Sequence, residues 1–103
     1  MITMVIELRI EELKNRLEEL KPALIERFNV NVIGLFGSYV RGQQKARSDL
    51  GVLIELSEPI GLFKFVELEE FLSRELGVKV DLVLRDALKP RIKERIMKEA
   101  VYV

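Results

Sequence analysis

The chain contains no cysteine, no histidine and no tryptophan in its 103 residues. The missing cysteine excludes disulfides, thiolate nucleophiles and zinc–thiolate centres, and the missing histidine removes the commonest general base and metal ligand. Net charge is also absent: 17 Lys and Arg balance 17 Asp and Glu, so no global field draws the chain to nucleic acid. With 5 Phe and 2 Tyr as its whole aromatic set, it lacks the makings of a base-stacking surface. Long apolar runs are missing too. The opening MITMVIELRIEEL meets charge at Glu7 and Arg9, which suits neither a signal-peptide core nor a membrane span, and a cytoplasmic protein is expected. Any chemistry must therefore run on carboxylates, hydroxyls, backbone amides and a hard cation.

What is present fits one well-folded domain over residues 1–103, with 49% hydrophobic and 33% charged residues. That length holds a single core and no separate substrate domain. Ile6, Ile10, Leu13, Leu17, Leu20 and Leu24 recur at spacings of four and three, which predicts a long amphipathic helix from Ile6 to Phe28. The same spacing also suits a coiled-coil dimer, although a helix covering its own sheet is the better reading; a homodimer stays open. Pro22 should bend the helix or start a new segment, and Asn29 suits a left-handed stop.

Strands are predicted at Val30–Phe36, Asp49–Leu56 and Val78–Leu84, from branched residues and period-two alternation. Between the second and third, Leu62–Leu76 reads as a helix stopped by Gly77, with Phe63, Val66, Leu68, Phe71, Leu72 and Leu76 as its apolar surface. A final helix begins at Lys89-Pro90, with Ile92, Ile96, Met97 and Val101 on its apolar side. The order helix, strand, strand, helix, strand, helix implies an α+β sandwich: a small mixed sheet packed with helices, its site at one sheet end.

The stretch Gly37-Ser38-Tyr39-Val40-Arg41-Gly42 follows the first strand, and Ser48-Asp49-Leu50-Gly51 opens the second. Glycine lets backbone amides approach a phosphate and a hydroxyl can donate to it, while an aspartate on the next strand can hold a metal ion. Gly37-Ser38 alone is an ordinary turn. Together with Arg41-Gly42 and Ser48-Asp49 at this spacing, it resembles the signature of the DNA polymerase beta-type nucleotidyltransferase superfamily. Within that superfamily the short length and the G-S-Y-x-R-G wording resemble the minimal nucleotidyltransferase (MNT) group, and the resemblance covers nearly the whole chain.

The resemblance implies transfer of a nucleoside monophosphate from ATP or another NTP to an acceptor hydroxyl. Gly37, Ser38, Arg41 and Ser48 would bind the nucleotide. Asp49 and Asp81, the latter in a Val80-Asp81-Leu82 context, would be the catalytic carboxylates that hold Mg²⁺, in a site that takes two metals in the family. Lys45 reads better as solvated surface charge. Members of this group are commonly antitoxins of a HEPN-domain toxin and modify a toxin tyrosine with AMP, so a HEPN toxin is the implied partner.

One position departs from the pattern. Gly51 stands where the second aspartate of D-x-D belongs, removing a carboxylate from the metal site. Glu55, on the same strand face, is roughly 13 Å further along and cannot replace it. Gly51 is compatible with a descendant that binds its partner without turnover, with a substitution at an aspartate position, or with weak one-metal activity. An impaired AMP transferase is the first reading. An inactive module that neutralises a toxin by complex formation is the alternative.

Overall fold

A computed structural model describes residues 2–42 and 49–103. Helix α1 (Ile2–Phe28) leads, followed by strand β1 (Val30–Phe36), the short helix α2 (Ser38–Arg41), β2 (Leu50–Leu56), α3 (Leu62–Leu76) and β3 (Val80–Leu84). A 3₁₀ turn at Arg85–Ala87, α4 (Pro90–Glu99) and β4 (Val101–Tyr102) complete the chain. The four strands form one mixed sheet in the order β3-β2-β1-β4. β1 runs antiparallel to β2 and β4, whereas β2 and β3 are parallel. This is the α+β arrangement implied by the element order.

The main core lies where α1 and α3 meet the sheet. Leu13, Leu17, Leu20, Leu24 and Phe28 are buried at helical spacing on α1, against Val30, Ile33 and Leu35 of β1 and Leu68, Phe71, Leu72 and Leu76 of α3. Leu50, Val52 and Ile54 supply the β2 share of that core. Leu53, on the other face of β2, is buried as well, as is Ile96 of α4, both outside the main cluster. Ion pairs Arg16–Glu75 (2.5 Å) and Arg27–Glu67 (3.5 Å) set α1 antiparallel to α3. The Arg27 guanidinium covers the rings of Phe28 and Phe71 at 5.0 and 5.3 Å.

The strand and helix boundaries follow local chemistry in several places. Asn29 adopts φ 58° and turns the chain from α1 into β1. Gly77, at φ 70°, ends α3 in the left-handed conformation, and Pro90 opens α4 where a missing N–H costs nothing.

Other expectations are corrected. α1 begins at Ile2 rather than Ile6, and it passes Pro22 without interruption. The buried residues on both sides of Pro22, Leu17, Leu20, Leu24 and Phe28, outweigh the single lost hydrogen bond. β2 and β3 start one and two residues later than predicted, at Leu50 and Val80. Phe63 and Val66 do not join the apolar contact surface of α3: they are 91% and 43% exposed, with Leu62 beside them at 75%. Val101 belongs to a strand rather than to the last helix. It pairs with Leu35, Tyr102 pairs with Gly34, and the Val103 N–H donates to the Ile33 carbonyl at 3.0 Å. The three C-terminal residues thereby complete the open side of β1. Gly34 lets the Tyr102 ring pack closely there, 3.1 Å from where a Cβ would stand.

Candidate active site

β1 delivers the chain into Gly37, whose φ of 92° and ψ of −161° are accessible to glycine and strained for other residues. The Gly37 carbonyl accepts the Val40 and Arg41 N–H groups at 3.1 and 3.2 Å, starting α2 at Ser38. Gly42, at φ 70°, stops that helix after one turn. A Cβ on Gly37 would lie 3.9 Å from the Gly51 nitrogen, so the turn sits against the start of β2. The structure thus joins the two halves of the motif across the β1–β2 pair. Ser38 is half-buried at the first position of α2. Ser48, with Lys45 and Arg47, lies outside the described residues.

Register places the acidic residues. Phe36 pairs with Gly51, and Gly51 pairs with Asp81, giving one row across three strands. Asp49 stands two residues before Gly51, so its Cα and that of Asp81 are separated by one strand and two rises, roughly 8 Å. Both carboxylates are on exposed residues at the same sheet end. The Leu50 N–H donates to the Lys79 carbonyl at 2.8 Å, which extends the β2–β3 pairing back to the level of Asp49. Lys79 Nζ then lies 3.9 Å from Asp49 Oδ2.

Gly51 is buried, and its neighbour explains how. A Cβ built on it would meet Phe36 Cε2, Cζ and O, each at 2.8 Å. The Phe36 ring therefore covers the bare backbone where a second aspartate would project. Glu55 is engaged further along the sheet, where it accepts a hydrogen bond from Arg85 at 2.7 Å. Arg41 reaches α4 and pairs with Glu99 at 2.5 Å, tying the motif helix to the C-terminal segment.

Among the described residues no group of three or more Asp, Glu, His or Cys could hold a metal ion. Two carboxylates fit the other common mode for Mg²⁺, in which one or two side chains share the ion with substrate phosphates and water. Asp49 and Asp81 would be those side chains.

A model of the nucleotidyltransferase domain matches residues 11–103. The chain belongs to the nucleotidyltransferase domain family. It is 47% identical over 96 residues to the protein adenylyltransferase MntA of Thermococcus cleftensis, covering 93% of this chain and 97% of that protein. A solved structure described as a candidate minimal nucleotidyltransferase superposes with a TM-score of 0.72 at 30% identity, over 93% of each chain. The Shewanella oneidensis complex of a tri-AMPylated HEPN toxin with its MNT antitoxin gives 0.65 at 18% identity, covering 87% of this chain and 70% of that one, which shows the fold alone.

Three residues beside this candidate site escape a reading of the motif: Phe36, Lys79 and Glu99. Lys79 carried a signal, since it precedes Asp81 by two residues and strand alternation places such residues on one face. Phe36 and Glu99 carried none, because their relevance depends on cross-strand register and on how the chain end folds back.

Proposed function

We propose that this domain transfers AMP from ATP to a hydroxyl on a partner protein, a tyrosine of a HEPN-domain toxin, and that Gly51 weakens the reaction. The observation that carries this reading is the meeting of Gly37, Asp49 and Asp81 at one sheet end, in a chain 47% identical to a protein adenylyltransferase over nearly all of its length. In the reaction the acceptor oxygen bonds to the α-phosphorus, the bond to pyrophosphate breaks, and the acceptor proton is released. The Gly37 turn and Ser38 hold phosphate oxygens, Arg41 neutralises their charge, and Asp49 and Asp81 anchor Mg²⁺. When bound, that ion supplies charge neutralisation and lowers the pKa of the attacking hydroxyl. In this reading the partner supplies the acceptor hydroxyl.

Gly51 favours a second reading, in which the domain neutralises its toxin by complex formation without turnover. The deciding experiment follows label from ATP into a HEPN toxin with Mg²⁺, for the wild type and for Gly51→Asp, the latter also with Phe36→Leu because the Phe36 ring occupies the space an aspartate side chain needs. Labelling by Gly51→Asp alone identifies a transferase disabled at one ligand. Equal labelling shows that Asp49 and Asp81 suffice. No labelling by either, with a stable complex retained, supports neutralisation by binding and rejects transfer.

A further inference from the structure

The charge at this site differs from that of a three-carboxylate metal centre in two ways. Gly51 removes one negative charge, and Lys79 places a positive one 3.9 Å from Asp49. The placement of Lys79 is set by backbone rather than by its own flexible chain: the Leu50 N–H donates to its carbonyl, and the next residue, Val80, pairs with Leu50. Because side chains alternate along an extended segment, Lys79 and Asp81 project to the same side. The Lys79 side chain is 80% exposed, so its ammonium can swing from Asp49 to a ligand without breaking packed structure.

We propose that Lys79 is a phosphate-binding residue of this site, taking over charge neutralisation on the triphosphate where Gly51 has removed a metal ligand. The inference rests on the nucleotide reading above. A triphosphate needs positive charge around it, and a lysine ammonium is a compact phosphate binder with three donors. Asp49 alone would repel the phosphates. The nearby Lys79 ammonium offsets that repulsion.

The test is ATP binding by equilibrium dialysis, in EDTA and in Mg²⁺, for the wild type, Lys79→Gln, Lys79→Arg, Asp49→Asn and the Lys79→Gln/Asp49→Asn double variant. Lys79→Gln is expected to weaken metal-free binding about tenfold, as fits loss of a charge-assisted contact, and less in Mg²⁺. The same loss is expected in the Asp49→Asn background, whereas Lys79→Arg keeps most of the affinity. If Lys79→Gln has no effect once Asp49 is neutral, Lys79 serves only to mask Asp49 and the proposal is overturned. If the wild type binds ATP and every Lys79 variant binds it as well, Lys79 is excluded while the nucleotide reading stands. Failure of the wild type to bind ATP in either condition overturns both.

Discussion

Phe36 and Gly51 face each other across β1 and β2, and Phe36 fills the volume that any side chain at position 51 would need. Two of the three close atoms belong to the ring and can rotate away. The third is the Phe36 carbonyl oxygen, which moves only with the strand. Gly51→Ala is therefore expected to destabilise the domain by about 1–3 kcal/mol, the usual range for overpacking. Phe36→Leu in the same chain should recover part of that loss, because the ring is removed and the carbonyl stays. Urea denaturation of both single variants and the double variant measures the coupling, and strictly additive losses would show that the contact is not felt.

The edge strand β3 gives a second expectation. Its Val80 and Leu82 N–H groups donate to Ser73 Oγ at 3.0 Å and Glu69 Oε2 at 3.1 Å, two side chains one turn apart on α3. They cover outward-facing donors of the kind that make an exposed edge a template for another chain. Ser73→Ala should cost about 1 kcal/mol and Glu69→Ala about 1.5–3 kcal/mol, the latter losing a charged acceptor. The double variant should also self-associate. Urea midpoints and light scattering check the two parts separately; a double variant that stays monomeric at high concentration would show that the edge needs no such cover.

Neighbouring residues on α1 supply a third. Leu24 is fully buried, and Ile25, next in sequence, is 59% exposed. Leu24→Ala should lose about 2–5 kcal/mol through lost burial and an unfilled cavity. Ile25→Ala should change stability by less than about 0.5 kcal/mol. Equal effects at the two positions would contradict the helical stripe.

Legibility in the sequence tracked how local the cause was. β1 and α3 were bounded to the residue because branched runs, Gly37 and Gly77 mark their ends, and the left-handed turn at Asn29 was equally local. The continuity of α1 through Pro22 was not, since it depends on Leu17, Leu20, Leu24 and Phe28 packing against elements far away in sequence. β4 was invisible for the same reason: two residues become a strand only by pairing with Gly34 and Leu35. At the candidate site, Gly37 and Asp49 stood out from motif spacing and Asp81 from the resemblance carried by Val80-Asp81-Leu82, and the three lie at one sheet end. What spacing does not contain is the surroundings: Phe36 over Gly51, Lys79 beside Asp49, Glu99 against Arg41.

That last pair sets the final expectation. Arg41 and Glu99 are joined at 2.5 Å, yet the Arg41 side chain is about half exposed, so the pair adds less than about 1 kcal/mol to stability. Under the proposed function its weight falls on nucleotide binding, where a triphosphate at the Gly37 turn would compete with Glu99 for the guanidinium. Arg41→Ala should therefore weaken ATP binding about tenfold or more, the scale of a lost charge-assisted contact. Glu99→Gln should act in the opposite direction and tighten binding a few-fold, because one carboxylate competing for Arg41 is gone. Dialysis with Mg²⁺-ATP distinguishes the outcomes. Weaker binding in Glu99→Gln would mean that Glu99 orients Arg41 toward the phosphates rather than competing for it.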